Sequence, residues 1–365
     1  MRACPARSMG NIMLSISFET LQRIGLSNAF SMQLAELPAN PDTHLMRIIE
    51  VHKDRLTLHN GEHSCSARVL PRLVTAMAED DLQLAVGDWV VSENNALNEW
   101  WITARLSPAN HLSRRAFDGR RQSVASNIDT ALLVMGLDHD FNLRRLERYI
   151  ALVAAADIAP VIVLTKADTV ENAQLRIAEI IQRIGRRYPV FAVNALDKAS
   201  VQQLAPWLNR GQTLCLLGSS GAGKSTLTNT LTGAGQITGG IREDDSRGRH
   251  TTTSRSMHFC INGACIIDAP GLRTLRPDGD DDSMHAAFDD IEQWAAQCQF
   301  RNCRHESEPG CAVREHCDPD RVFNYHKLLR DMHRLQQTPL ERIAERSRWK
   351  TLMKSAGLRG KQKRE

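Results

Sequence analysis

The stretch "GSSGAGKST", Gly218 to Thr226, reads as a phosphate-binding loop, and "TKAD", Thr165 to Asp168, reads as the base-facing motif of a GTPase. In the usual GTPase order the base motif follows the phosphate loop; here it comes first. Gly218, four residues, and then Gly223-Lys224-Ser225 give the spacing of a loop that wraps a nucleotide β-phosphate. Glycines are needed because backbone N–H groups converge on phosphate oxygens where a Cβ would clash, and the following helix adds its N-terminal dipole. The flanks agree, with "TLCLL" an apolar strand before the loop and "STLTNTL" a helical start after it. The run Gly218, Ser219, Ser220, Gly221, Ala222, Gly223, Lys224, Ser225 and Thr226 is therefore assigned to the nucleotide. Lys224 is directed to the β- and γ-phosphates and Ser225 to Mg2+.

A phosphate loop alone does not separate ATP from GTP. An Asp carboxylate accepts two hydrogen bonds from guanine N1–H and the 2-amino group, and adenine offers no such donor pair, so Asp168 favours guanine. The aliphatic stem of Lys166 covers the base plane. Thr165 stands where Asn is commoner, and Ala167 lies between the two charged residues. Taken alone, "TKAD" is equally an ordinary exposed turn, but further motifs support it. "VNALD" ends a later apolar strand, placing the backbone N–H of Ala195 for guanine O6, with Asn194 where Ser is usual. "GRHTTT", Gly248 to Thr253, is a Thr-rich segment able to sense Mg2+ and γ-phosphate, with Thr252 its candidate at the nucleotide. "DAPG" supplies the Asp268 carboxylate for the metal's surroundings and the N–H of Gly271 for the γ-phosphate. The order is base, base, phosphate, first switch, second switch. A circular permutation produces it without disturbing the site, because domain termini lie close together and can be joined. The second switch then runs directly into the carboxy-terminal region, which nucleotide state is able to move.

The 365 residues and 42% hydrophobic content suit a soluble globular protein of two or three domains. The net charge of +4 announces no polyanion partner, but from Arg342 onward nine Lys or Arg face two Glu. That tail is read either as rRNA-contacting or as a solvated charged helix. The amino terminus lacks a signal-peptide core, and "YIALVAAADIAPVIVL" is broken by Asp157 and Pro160, so neither export nor a membrane span is expected. A cytoplasmic setting makes disulfides unexpected for the nine cysteines. "CQFRNCRHESEPGC" gathers Cys298, Cys303, His305 and Cys311 within fourteen residues. Three thiolates and one imidazole form a closed tetrahedral set suited to structural zinc, with no open position for catalysis. A loop of free cysteines is the plainer alternative, and His316 and Cys317 are neighbouring candidates.

Residues 1–41 carry little pattern and are expected to be a poorly ordered extension. Short β-branched and aromatic runs between 42 and 108 ("HLMRIIEV", "RLTLHN", "SCSARVL", "DWVVSE", "EWWITARL") predict a small barrel of the OB or SH3-like kind. "SRRAFDGRRQSVASN" reads as an Arg-rich connector, after which strands and helices alternate in the rhythm of a parallel sheet covered on both faces.

Together the permuted order, the preceding barrel, "GRHTTT", "DAPG" and the cysteine cluster resemble the small-ribosomal-subunit-dependent GTPase family, RsgA or YjeQ, over about residues 42–335. The resemblance implies an N-terminal OB-fold at 42–108, a permuted P-loop GTPase domain at 109–275, a zinc-binding helical domain at 276–340 and a basic tail at 341–365. It implies GTP and GDP as ligands, with Mg2+, and one structural zinc on the four residues of the cluster. It further implies action in late maturation of the small (30S) ribosomal subunit through rRNA binding, with hydrolysis strongly stimulated by that subunit. A monomer without membrane partners is expected. Many GTPases orient water with a Gln just after the second-switch Gly, but Leu272 occupies that place. His250 is the nearest candidate, and the resemblance points to it as the catalytic residue; the plainer reading is an exposed loop histidine. Competing functions are an RNA-binding module that holds GTP passively and a phosphotransferase, for which no acceptor site is evident.

Overall fold

Between β2 (Leu56–His59) and β3 (Ser64–Val69) the chain reverses at Asn60-Gly61, where Asn60 Oδ1 accepts from the backbone N–H groups of Glu62 and His63 at 2.9 and 2.8 Å. Gly61 has φ +97°, and a Cβ there would fall 2.6 Å from the Thr20 carbonyl oxygen. This is a computed structural model, and it describes residues 17–36, 42–52, 55–79, 81–95, 97–115, 121–233, 255–268, 284 and 287–336.

β1 (Thr43–Val51) pairs antiparallel with β2 and with β4 (Trp89–Asn94). β3 runs parallel to β5 (Trp100–Arg105), which pairs antiparallel with β4. The five strands thus close in the order β1-β2-β3-β5-β4-β1, an OB-like barrel. Helix Pro71–Glu79, unforeseen in the sequence, fills the connection between β3 and β4. Strand periodicity explains why "HLMRIIEV" is apolar on both faces. Met46 and Ile48 enter the barrel core, whereas Leu45 and Ile49 join the main core of the molecule.

The predicted Arg-rich connector is partly a hairpin, with β6 (His111–Arg115) paired to β7 (Arg121–Ser126). β8 (Thr130–Gly136), β9 (Ala159–Thr165), β10 (Val190–Ala192), β11 (Thr213–Leu217), β12 (Arg255–Phe259) and β13 (Cys265–Asp268) form the second sheet region in the order β10-β9-β8-β11-β13-β12. All neighbours are parallel except the β12–β13 hairpin. Successive β8 residues serve opposite cores, Leu133 and Met135 beneath helix Leu143–Ala154 and Leu132 and Val134 beneath helix Lys224–Thr232. Before β11 the chain makes only a turn of α-helix, Lys198–Val201, continued as a 3-10 segment that contains Pro206. Proline has no N–H to continue an α-helical ladder. β12 also pairs with β1 through Glu50–Ser256 and Val51–Arg255, which joins barrel and parallel region in one sheet. Among the described residues, no helix is long and apolar enough to cross a membrane.

Two elements correct the expected layout. Residues 17–36, predicted to be poorly ordered, form helices Phe18–Arg23 and Ser31–Ala35 with a 3-10 turn between them. Leu21, Ile24, Leu26, Phe30 and Leu34 are buried in the main core, and Phe30 packs against Trp89. Arg47 locks this segment in place. Its fully buried guanidinium donates to the carbonyls of Ile24, Gly87 (3.2 Å) and Asn127 (3.0 Å) and to Thr213 Oγ1 (2.9 Å). The second element is a buried carboxylate. Glu147 accepts from Arg183 Nε (2.7 Å), Arg321 Nη1 (2.7 Å) and Asn324 Nδ2 (2.5 Å), so helix Pro319–Gln336 docks on helix Leu143–Ala154. Because Phe30 is buried rather than part of a loose extension, Phe30→Ala is expected to cost about 3 kcal/mol or more, read as a lowered thermal midpoint. A midpoint equal to that of the parent chain would return residues 17–36 to a passive role.

Candidate functional site

The phosphate loop joins the end of β11 to helix Lys224–Thr232, at the edge of the sheet where β8 and β9 also end. Its glycines have separate reasons. A Cβ on Gly218 would stand 2.3 Å from the Val134 carbonyl oxygen, so the loop lies directly on β8. Gly223 has φ +89° and faces Thr165 at a distance that leaves a Cβ only 3.1 Å from Oγ1. Gly221, at φ +82°, has open space beside it. Lys224 is buried and its Nζ donates to the carbonyls of Gly218 (2.9 Å) and Ser219 (2.7 Å), closing the loop around the ammonium. Burial lowers its pKa from the ordinary lysine value, against the opposing pull of Asp268 and Asp140. Ser220 and Ser225 are exposed, while Ala222 is buried in the sheet's second core.

The base-facing turn is physically attached to this loop. Thr165, fully buried at the end of β9, donates its hydroxyl to the Ala222 carbonyl at 2.6 Å. Thr therefore has a structural reason to stand where Asn is commoner, since its hydroxyl supplies the donor. Lys166 follows with φ 61° and ψ 35°, and Ala167 to Thr169 form a 3-10 turn carrying Asp168 exposed. Ala167 N donates to the Val193 carbonyl at 3.3 Å, bringing the second base motif alongside the first. There Asn194 Oδ1 accepts from Leu196 N at 3.0 Å, and the Ala195 carbonyl accepts from Thr230 Oγ1 at 2.6 Å, on the helix that leaves the phosphate loop. Residues spread from 165 to 230 thus meet at one edge.

Asp268 closes β13 on the other side of β11. Among the described residues its buried Oδ1 has no hydrogen-bond partner, and burial raises the carboxyl pKa above the ordinary aspartate value despite Lys224 and His258. An orphaned carboxylate oxygen at the end of β13 and an exposed Ser225 hydroxyl at the start of the loop's helix are oxygen donors of the kind a hydrated Mg2+ takes. Thr226 begins the same helix, half-buried. His250, Thr252, Gly271 and Leu272 lie outside the described residues.

Two carboxylates not singled out in the sequence also reach this edge. Asp138 accepts from Lys166 Nζ at 2.7 Å, and Asp140 accepts from Ser219 Oγ at 2.5 Å. Both lie in the turn after β8. The available signal was their place at the carboxyl end of a strand in a parallel sheet, where such sheets build their sites.

Farther away, Cys298, Cys303, His305 and Cys311 converge, each offering one ligand atom, all within 4.8 Å of one another. Cys298 Sγ lies 3.6 Å from His305 Nδ1 and 3.9 Å from Cys311 Sγ, and His305 Nδ1 lies 3.4 Å from Cys311 Sγ. Tetrahedral zinc with Zn–S near 2.3 Å needs ligand separations of roughly this size, so the donor set is compatible with the metal. His305 adopts φ 60° to turn inward, and Gly310, at φ 64°, lets the returning strand pass Gln299. His316 is occupied in a stack on Trp294, with ring centroids 3.9 Å apart. Cys317 is not part of the converging set.

Comparison with known proteins agrees with this geometry. The RsgA GTPase family model matches residues 106–277. The ABC transporter model matches residues 201–361, a span that contains the phosphate loop and leaves out the base-facing turn. The chain is 43% identical over 325 residues to the small ribosomal subunit biogenesis GTPase RsgA of Xanthomonas oryzae pv. oryzae (strain MAFF 311018), covering 87% of this chain and 88% of that protein. Its namesake in Xanthomonas axonopodis pv. citri (strain 306) is 42% identical over the same length. Among solved structures, YjeQ from Thermotoga maritima superposes with a TM-score of 0.58 at 20% identity, covering 80% of this chain and 98% of that one. YloQ, a circularly permuted GTPase, gives 0.56 at 22% identity, covering 81% and 96%. The fold is thus that of the circularly permuted GTPases, and by its identity to curated relatives across most of both lengths, the chain belongs to the RsgA GTPase family.

Proposed function

We propose that this protein hydrolyses GTP to GDP and phosphate, stimulated by the small ribosomal subunit, and acts in late maturation of that subunit through rRNA binding. The single observation that carries the nucleotide part is the Thr165–Ala222 hydrogen bond, because it makes a guanine-type motif and a phosphate loop parts of one site. The ribosomal part rests on the names of relatives 42–43% identical to the chain. In this reading Asp168 selects guanine, the Lys166 stem covers the base and Ala195 N–H meets O6. Gly218 to Thr226 hold the phosphates, with Gly271 N–H at the γ-phosphate. Ser225, Thr252 and Asp268 would hold Mg2+, which would supply positive charge beside the phosphates.

With Leu272 in place of a water-orienting Gln, unstimulated turnover is slow and His250 orients the attacking water. The division into barrel (42–108), GTPase domain (109–275), helical domain (276–340) and basic tail (341–365) belongs to the same proposal. So do a monomeric state, a cytoplasmic location and one structural zinc per chain. That metal would help stabilise the helical region, whose short elements Asp289–Ala295 and Ala312–His316 enclose little core.

Single-turnover GTP hydrolysis with small subunits, with large subunits and with neither tests the assignment. Small subunits alone are expected to accelerate it. Equal rates in all three would favour an RNA-binding module that holds GTP passively. His250→Ala is expected to keep GTP affinity and small-subunit association while its stimulated rate falls about 10²-fold. A wild-type rate would assign water positioning to the ribosome or another residue.

Metal analysis of the purified chain is expected to give about one zinc, as a three-Cys, one-His site requires. Cys303→Ser and Cys311→Ser are expected to lose the metal, and Cys260→Ser, in the sheet core, to retain it. Full occupancy in both cluster variants would remove the zinc assignment.

A further inference from the structure

We propose that the turn Gly136–Asp140 is a positioning element for both halves of nucleotide recognition, with Asp140 holding the phosphate loop through Ser219 and Asp138 holding Lys166 of the base-facing turn. The inference rests on the guanine-nucleotide reading above and adds residues to that site.

The turn is built to present its carboxylates in opposite directions. Gly136 ends β8, and a Cβ there would stand 2.5 Å from Asp138 Oδ1, so glycine leaves room for that side chain to fold back over the strand end. Asp138 Oδ1 then accepts from Asp140 N at 3.2 Å, leaving Oδ2 for Lys166 Nζ. His139 is exposed and approaches the same Oδ2 at 3.4 Å from the solvent side. Asp140 is nearly buried. Its Oδ2 accepts from Gly136 N at 3.0 Å, and its Oδ1 accepts from both Ser219 Oγ (2.5 Å) and Arg145 Nη2 (2.6 Å).

An uncompensated buried carboxylate beside a phosphate site would repel the ligand. Here Arg145, which also donates to the Asp140 carbonyl, balances the charge, so the carboxylate orients the loop and does not oppose the anion. Ser219 is the first loop residue after Gly218, and Lys224 donates to its carbonyl. Fixing the Ser219 side chain therefore fixes one wall of the pocket around the lysine. At the other arm, Lys166 sits in left-handed backbone geometry on an exposed turn. Tethering Nζ sets the course of its four-carbon stem, the part offered to the purine face.

The two arms have different readouts. On the full chain, competition of GDP and GMP against fluorescent GDP separates β-phosphate recognition from base recognition. Asp140→Ala is expected to weaken GDP about tenfold and GMP by no more than about twofold, the size of loss when one buried polar contact is unmade. Ser219→Ala should reproduce that loss, and the double variant should be no weaker than either single one. Asp140→Asn, which keeps an acceptor for Ser219, should retain most of the affinity. Asp138→Ala should weaken GDP and GMP by the same factor, and Asp138→Asn less.

Additive losses for Asp140→Ala and Ser219→Ala, equal GDP and GMP losses in Asp140→Ala, or wild-type affinity in all variants would overturn the inference. If Asp140→Ala fails to fold, Asp140→Asn with Ser219→Ala carries the same comparison. A wild-type chain that binds neither nucleotide would instead refute the nucleotide reading itself.

Discussion

The hydrogen bond from Thr165 to the Ala222 carbonyl joins stretches 57 residues apart, and the site exists because the sheet lets it form. β9, which ends in Thr165, is separated from β11 by β8. The two loops can meet only by passing over the end of that strand. Gly136 ends it without a side chain, Gly218 lies against the Val134 carbonyl, and Gly223 approaches Thr165 too closely for an ordinary Cβ. Gly218 and Gly223 thus both let the loop lie close to its neighbours at this contact. Such a bond has a net worth of about 1 kcal/mol, yet leaving the buried Ala222 carbonyl unmatched would cost more. Chain order does not enter this geometry. A permuted sequence keeps the same site provided that the strands keep their neighbours.

Local chemistry was legible in the sequence, and long-range partnership was not. The glycine-rich loop, the TKAD turn and the set of three cysteines and one histidine each sit within a short stretch of sequence, so spacing and flanks pick them out. The β-branched run of β1 likewise announced a strand. Arg47 stands in the middle of that strand. Its meaning depends on Ile24, Gly87, Asn127 and Thr213, which no window of sequence contains. Residues 17–36 were missed for a related reason. Helices of six and five residues are too short to persist alone, because nucleation outweighs so few hydrogen bonds. Docking of Leu21, Ile24 and Phe30 supplies their stability, and that core is assembled from distant strands.

Asp140 and Glu147 show the same limit at the functional edge. In "GLDHDFNLRRLERYI" both stand among other charged residues with no motif to mark them. The structure buries them at opposite ends of a short span, one against the phosphate loop and one against the carboxy-terminal helix. A buried carboxylate is weak evidence for stability, since its desolvation offsets much of the attraction it gains. It is strong evidence for register. Glu147 meets three donors on two helices, and sliding helix Pro319–Gln336 by one turn would remove the two supplied by Arg321 and Asn324.

The permutation gives this arrangement its topological interest. With the chain opened between β13 and β8, the polypeptide leaving Asp268 at the site's edge continues into the helices around the Cys/His cluster. Those helices return to pack on helix Leu143–Ala154, whose first turn is capped by Asn142 beside the Asp140 turn. The cluster is therefore linked to the nucleotide edge twice, covalently after Asp268 and by packing through Glu147. In an unpermuted chain the strand after the second switch would run straight back into the sheet, and the covalent link would be absent. A linkage of this kind transmits a change only if some element has two stable arrangements. The buried ions of Glu147, Arg183 and Arg321 resist gradual displacement, because each intermediate position breaks the Arg321–Glu147 pair in a low dielectric. Movement across this interface is accordingly expected to be all or none.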